Sequence, residues 1–433
     1  MSGWRLSLLA CSGMVAAASA AHADSIVDAM TAAYHNNPTL DQARLAVRAA
    51  REDRIQARAG YLPQVSLNGS YGYQDYTVRT PSPFFGTITQ TQQLHPETET
   101  AQVTQQVFTG GRLIGQSQLA HAGVDSARNT LRSAEQQVLL AAADAYLSVQ
   151  RDERIVSLRE QDVEALTRQL GGTQRRLDVG EVSRTDLAQV QTRLAGANSA
   201  LAQAHADLDR SRAEYLQIIG SEPHDLQPPT IPPLPQTQDE AVALAQSAHP
   251  DLLRARSDVN VARAHTTIER SGLYPQVSVA GRYDHFNQSG FANQERDGAS
   301  ATVNLSVPLY EGGYYGSRVR QSRINEARAD ARVEEQRRQV VANASTAWSD
   351  YMALQSVVEA AHDQVSAAQE ALSGAERERG LGLRSTLDVL NAEEEYRSAE
   401  VNLAHAEASA ALSAYTLLAD TGQLSLDTIT PHQ

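Results

Sequence analysis

The chain has 433 residues and a formal net charge of −14, and all 37 of its basic residues are arginines. Without lysine there is no Walker-type phosphate loop, Schiff-base lysine or lysine nucleophile. The acidic balance argues against general nucleic-acid binding, which needs a basic surface. Only 5% of the residues are aromatic, and this composition suits long, closely packed helices better than a globular enzyme.

The N-terminus has the features of an export signal. An apolar stretch over about residues 6–20 follows a single arginine and leads into Ala21-His22-Ala23, which has the small-x-small form of a signal-peptidase site. We predict a signal peptide over residues 1–23 and a mature chain that begins at Asp24. The alternative is a lipoprotein signal that leaves Cys11, the single cysteine, as a lipidated N-terminus. The apolar segment before Cys11 is short for such a signal.

The sequence contains an internal duplication. Landmark pairs lie 212 positions apart at Pro38/Pro250, Pro63/Pro275, Gly69/Gly281 and Tyr71/Tyr283, and 202 apart at Gly110/Gly312, Gly111/Gly313, Gly180/Gly382, Asp186/Asp388 and Gly220/Gly422. The offset changes between residues 72 and 109, so the first copy has a longer loop there. We predict structural repeats over 24–222 and 237–433, the second with a C-terminal tail, and a proline-rich linker over 223–236.

The two copies predict the same order of elements. A helix begins at a proline, two strands with one apolar and one polar face follow, and a glycine pair precedes a very long helix. That helix of about 66 residues would extend about 100 Å. The chain then turns at a glycine and returns as a helix with heptad spacing, which indicates a coiled-coil seam with small residues. The strands are predicted at 62–79, 98–108, 275–288 and 299–309, with polar loops at 80–97 and 285–298, and the long helices at 112–177 and 314–379.

Four strands are too few to close a membrane barrel, because the smallest barrels need about eight. An open sheet would leave unpaired edges, which lipid does not tolerate. If the strands lie in a membrane, several chains must therefore contribute to one barrel. The residues alone leave a second architecture open, a soluble periplasmic coiled-coil scaffold without a pore.

The two helix-to-helix turns carry a specific resemblance. Residues Leu177–Leu187 and Gly382–Ala392 resemble the turn and return helix of the TolC family of outer-membrane channel proteins. The order of elements is similar to that family over essentially the whole mature chain. The resemblance implies a mainly α fold with membrane β-strands, in which three chains share a 12-stranded β-barrel on a 12-helix periplasmic α-barrel. It also implies an outer-membrane location with a long periplasmic extension.

By the same resemblance, the function is that of a passive exit duct in a tripartite efflux pump or a type I secretion system. The implied partners are two further copies of the chain, a periplasmic adaptor protein, an inner-membrane transporter and outer-membrane lipid. The hairpin tips that would contact the adaptor are Val179, Gly180, Leu381 and Gly382. The sequence does not identify the cargo.

The resemblance also implies a closed periplasmic aperture, formed by Thr185, Asp186, Arg379, Arg384, Asp388 and Asn391. Arg384 and Thr185 match one bonded pair of the family. Arg379 replaces the family's tyrosine, so a salt bridge to Asp186 would replace a phenol–carboxylate bond. Asp388 and Asn391 occupy the positions of the family's double aspartate ring, which leaves three charges around the lumen of a trimer rather than six.

Searches for catalytic motifs give no candidate. The chain lacks the zinc-protease helix motif, the nucleophile elbow and a dinucleotide loop after a strand. Its 12 histidines include no pair at the spacing of helical metal ligands. We therefore predict no enzymatic activity, no cofactor and no metal site.

Overall fold

The computed structural model describes residues 24–288 and 295–429. The predicted signal peptide and Cys11 lie outside these residues. The helices are α1 Ile26–Asn36, α2 Pro38–Ala59, α3 Arg112–Asp178, α4 Arg184–Ile219, α5 Gln238–Ala248, α6 Pro250–Ser271, α7 Tyr314–Gly380, α8 Thr386–Asp420 and α9 Leu426–Ile429. The strands are β1 Gln64–Tyr71, β2 Gln74–Ser82, β3 Gly86–Leu94, β4 Glu97–Phe108, β5 Gln276–Asn287 and β6 Glu295–Ser306.

The two copies are joined through one antiparallel sheet with the order β1-β4-β5-β6. Strands β1 and β4 come from the first copy, and β5 and β6 from the second. The central pair β4–β5 places Val103 opposite Gly281, a contact between residues far apart in the chain. Each copy contributes two strands to this sheet, as predicted, but the segment predicted as one strand at 62–79 is divided between β1 and β2, which lie in different sheets.

The prediction of a polar loop at 80–97 is wrong. Strands β2 and β3 pair there as a separate two-stranded antiparallel sheet, with a turn through Gly86 at a φ of +65°. The hydroxyls of Thr77 and Thr91 lie 3.1 Å apart across this hairpin. Its residues are mostly polar on both faces, so the apolar alternation that marks a half-buried strand is missing. The hairpin accounts for the longer segment of the first copy.

The loop predicted at 285–298, in the corresponding region of the second copy, is longer than the loop in the structure. Strand β5 continues to Asn287, and β6 begins at Glu295. The segment is polar and contains glycine, and these features were taken as signs of a loop. Antiparallel pairing over the full length of both strands outweighs that weak local preference.

The long helices match their predicted bounds closely. Helices α3 and α7 each have 67 residues, which corresponds to about 100 Å. Each packs along its return helix as a hairpin, α3 with α4 and α7 with α8. The predicted seam is confirmed, because one face of α4 buries the small residues and valine of the heptad pattern, Val190, Ala197, Ala204 and Ser211.

Among the helices of the described residues, none is both long and apolar enough to cross a membrane.

The largest core lies where the helical hairpins meet the short helices α1 and α9. Tyr146 is fully buried there, and its hydroxyl lies within hydrogen-bond distance of the carbonyl oxygens of Asp24 at 2.8 Å and Gln227 at 2.7 Å. Tyr415 is also buried and donates to the carbonyl oxygen of Thr230 at 2.7 Å. Burial raises the pKa of Tyr415 to about 12. These tyrosines hold the irregular, proline-rich segment between α4 and α5 against the helices.

Candidate functional site

The two hairpin tips have the same local structure. Gly180 and Gly382 adopt φ angles of +79° and +75°, a conformation that costs other residues about 1–2 kcal/mol. Beside them, Val179 is 71% exposed and Leu381 77% exposed. Each tip therefore presents an apolar side chain to solvent on a tight turn. The predicted contact of these residues with an adaptor stays a prediction.

Each return helix starts with a capping box. Ser183 donates from its backbone nitrogen to Asp186 Oδ2 at 2.9 Å, and its hydroxyl accepts from the Asp186 backbone nitrogen at 3.1 Å. These backbone and side-chain hydrogen bonds hold the pKa of Asp186 below its usual value. Ser385 and Asp388 form the same arrangement, and the hydrogen bonds again lower the pKa of the Asp388 carboxyl. Both aspartates thus order the start of their own helix.

Arg384 is engaged within its own hairpin. Its Nε donates to Glu378 Oε2 at 2.8 Å, and this bond raises the pKa of the guanidinium further. Within the described residues of one protomer, no hydrogen bond or ion pair joins Arg384 to Thr185 or Arg379 to Asp186. Both pairings predicted from the resemblance stay predictions.

Arg193 joins the two hairpins, and sequence reasoning missed it. Its Nη2 on α4 donates to Asn391 Oδ1 on α8 at 2.9 Å, and its guanidinium also forms an ion pair with Glu394. Asn391 and Glu394 lie on one face of α8, because residues three apart are neighbours on a helix. This spacing was visible in the sequence, but the partner arginine lies 198 residues away. Asn391 is therefore part of a tie between the hairpins.

A second tie lies further from the tips. Arg154 on α3 donates to Glu407 on α8 at 2.5 Å, and His362 on α7 lies 3.6 Å from the same carboxylate. Glu407 thus joins three helices of the two hairpins. Such exposed pairs are individually weak.

Two half-buried carboxyls, those of Asp162 and Glu393, line one groove between these ties. Burial raises the pKa of Asp162 on α3, although Arg397 and Arg159 counteract it. Burial also raises the pKa of Glu393 on α8, and the nearby charge of Asp162 raises it further. Arg397 bonds Glu400 at 2.8 Å. The groove between α3, α4 and α8 therefore holds acidic and basic side chains close together. Protonation of Asp162 or Glu393 would change the net charge of this groove.

The four-stranded sheet has two different faces. Val65, Leu67, Val303 and Leu305 lie on one face and are 65–79% exposed. The register places Leu67 beside Ala101, and Tyr283 beside both Ala101 and Ala299. The opposite face carries polar residues, and Arg282 there donates to Asp284 at 2.5 Å. The predicted alternation of one apolar and one polar face is confirmed, and the apolar face is uncovered in one protomer.

Comparisons with known proteins match this arrangement. A family model described as outer membrane efflux protein matches residues 29–221 and 241–423. The chain is 32% identical over 418 residues to the outer membrane efflux protein BepC of Brucella suis biovar 1 (strain 1330), covering 96% of this chain and 89% of BepC. It is 24% identical over 406 residues to the outer membrane protein TolC of Escherichia coli (strain K12), covering 90% of this chain and 80% of TolC.

A solved structure has the same fold. The CmeC outer membrane channel of Campylobacter jejuni superposes with a TM-score of 0.81 at 13% identity, covering 92% of this chain and 85% of CmeC.

The fold, the duplication and the two-faced sheet define a TolC-like outer-membrane channel with a periplasmic helical tunnel. The chain belongs to the outer membrane efflux protein family. The resemblance inferred from the hairpin turns is thus confirmed.

Proposed function

We propose that three copies of this chain form a passive exit duct through the outer membrane and across the periplasm. The observation that carries the proposal is the two-faced sheet, which continues directly into two helical hairpins of about 100 Å each. In lipid the apolar face would be covered by acyl chains, and the polar face would line an aqueous lumen.

The sheet edges support the sharing of one barrel among chains. Strands β1 and β6 are the two edges, and within the described residues neither pairs with a further strand. Unpaired backbone groups are costly in lipid, so β1 of one copy must pair with β6 of the next. Three copies supply twelve strands, enough to close a barrel.

The duct needs partners that supply substrate and energy. We place the exposed apolar tips around Gly180 and Gly382 against a periplasmic adaptor protein, which connects the duct to an inner-membrane transporter. The transporter performs the energy-driven step, and the duct provides a passive path without catalysis.

The aperture lies at the helical ends of the hairpins. We assign Thr185, Asp186, Arg379, Arg384 and Asp388 to contacts that form between hairpins when the trimer assembles. The tie from Arg193 to Asn391 holds the same region within one protomer. Opening would separate the two hairpins, and each of these bonds would resist that movement.

Cysteine cross-linking of the barrel edges tests the assembly. The mature chain is expected to contain no cysteine, because the single one is Cys11. Ser66→Cys on β1 would be combined, one at a time, with Ser300→Cys, Thr302→Cys and Asn304→Cys on β6. We expect dimer and trimer bands on a non-reducing gel for at least one of the combinations, and for none when Ser66→Cys is paired with Thr87→Cys on β3.

The alternative function is a soluble periplasmic scaffold without a pore. It predicts a chain that stays in solution without detergent and gives no intersubunit cross-link between β1 and β6.

A further inference from the structure

A group of metal-ligating side chains lies at the hairpin end of the four-stranded sheet, far from the helical tips. His285 on β5 pairs directly with Asp297 on β6, and Glu295 lies two residues before Asp297, at the start of β6. One ligand atom from each of His285, Glu295 and Asp297 lies within 4.8 Å of the other two. All three share one face of the sheet, because directly opposed residues and residues two apart point the same way.

The same face carries an excess of negative charge at this end. Glu99 on β4 lies opposite His285, and Glu97 lies in the next row, opposite Asn287. With Glu295 and Asp297, four carboxylates are therefore distributed over two rows of three neighbouring strands. The two arginines of these strands do not neutralise them, since both belong to the other face. Arg282 there bonds Asp284 at 2.5 Å, and Arg296 stacks on Phe286 at 5.1 Å.

The donor set has the chemistry of a transition-metal site. One imidazole and two carboxylates suit Zn²⁺ and related divalent ions, whose N and O ligands lie about 2.0–2.2 Å from the metal. His285 and Asp297 are already 2.7 Å apart between Nδ1 and Oδ1. Side-chain rotation alone can close the remaining distance, because Glu295 is exposed and the strand backbones are fixed by their pairing.

A neighbouring tyrosine supports the ligand geometry. The hydroxyl of Tyr283 donates to Asp297 Oδ1 at 3.3 Å. A hydrogen bond of this kind orients a ligating carboxylate and increases the metal affinity of a site. Three protein ligands also leave coordination positions for water or for an external ligand.

We propose that His285, Glu295 and Asp297 bind a divalent transition-metal ion at the hairpin end of the sheet, on the face that carries its apolar residues. The ion would neutralise part of the carboxylate cluster and fasten β5 to β6 at the hairpin end. Each chain would carry one site, so the proposed trimer would carry three. The site involves residues of one chain only, and it therefore does not depend on the proposed duct.

Metal titration of the whole purified protein tests the site. The protein in detergent would be stripped with a chelator and titrated with Zn²⁺ by calorimetry. We expect one ion per chain, and a loss of affinity of about 100-fold or more in His285→Ala. Glu295→Gln, at an exposed position, removes a second ligand with little effect on folding and should weaken binding at least about 10-fold.

Two controls separate the site from general attraction of cations. Asp284→Asn removes a carboxylate from the opposite face of the same strand, and His121→Ala removes an exposed histidine on α3. Neither should change the affinity for Zn²⁺ more than about 2-fold. As an independent readout, Co²⁺ should give visible ligand-field absorption in the wild type that is lost in His285→Ala. Equal Zn²⁺ affinity in the wild type, His285→Ala and Glu295→Gln would overturn the proposal.

Discussion

Arg193 on α4 donates a hydrogen bond of 2.9 Å to Asn391 on α8 and so connects the two helical hairpins of one chain near their tips. The same guanidinium also pairs with Glu394. Both bonds lie in the region where the two hairpins would have to separate for the helical end to open. The interaction is therefore the most direct target for testing the aperture.

Arg193→Ala should increase the single-channel conductance, or the fraction of time spent in the larger conductance state, because it removes both bonds that Arg193 makes to the other hairpin. Thermal stability should change little, since exposed ion pairs contribute about 0.2–1 kcal/mol. Arg210→Ala is the matched control, because Arg210 pairs at 2.9 Å with Asp207 of its own helix. Equal currents for the wild type and both variants would show that the Arg193 tie does not restrict the aperture.

Arg384→Ser combined with Asp186→Ala should raise conductance further if these residues form the aperture contacts implied by the resemblance. Asp186 is also the third residue of the capping box of α4, so its replacement weakens the start of that helix. Ser183→Ala weakens the same cap and keeps the Asp186 carboxylate, and it should leave the conductance unchanged. Wild-type currents in the double variant would rule out the latch.

The half-buried carboxyl of Glu393 should make stability depend on pH in a defined direction. Its raised pKa means that the charged form is disfavoured in the folded protein. This unfavourable contribution is complete above the folded-state pKa and disappears as the pH falls to the unfolded-state value. The charged neighbours are Asp162 on α3, Glu376 and Arg379 on α7, and Arg397 on α8.

Glu393→Gln should therefore raise the melting temperature at pH 7.5, and the gain should shrink as the pH falls. Calorimetric scans at several pH values measure this difference. Glu395→Gln, at an exposed position of the same helix, should show no such trend. A gain that grows on acidification would contradict the burial of a charged Glu393.

The glycine pairs before the long helices offer a matched comparison of packing. Gly110 has a φ of +62°, and a Cβ there would lie 2.6 Å from the carbonyl oxygen of Ser271. Gly312, its counterpart in the second copy, has a φ of +60° and an open environment. In both alanine variants the positive φ costs about 1 kcal/mol. Only in Gly110→Ala would the new Cβ also clash with a backbone atom.

We expect Gly110→Ala to lower the yield of folded trimer and its unfolding temperature clearly more than Gly312→Ala. Semi-native gels and thermal scans of both variants measure this. Equal losses in the two variants would show that the close approach at Gly110 does not matter.

Periodicity was enough to predict the elements that have a repeated pattern. The heptads of α4 and the prolines at the starts of α2 and α6 indicated their helices, and the alternation from Val65 to Tyr71 indicated β1. The short helices α1 and α5 were missed, although Ser25 and Thr237 cap them in the expected way. Each of these helices has 11 residues, and its apolar periodicity is too short to distinguish the helix from the flanking chain.

Contacts between different helices or strands could not be predicted from local pattern. Arg193 and Asn391 meet only because two hairpins pack side by side, and His285 meets Asp297 only through the strand register. Each partnership depends on a long-range alignment that neither segment encodes alone. The capping boxes at Ser183 and Ser385, in contrast, connect residues three apart and follow from sequence.

Conductance of the purified wild-type protein tests the central proposal most directly. The mature chain would be extracted with detergent and added to a planar lipid bilayer. We predict stable, long-lived single-channel currents from a detergent-dependent trimer. A water-soluble monomer that gives no current would contradict the assignment of this chain as an outer-membrane exit duct.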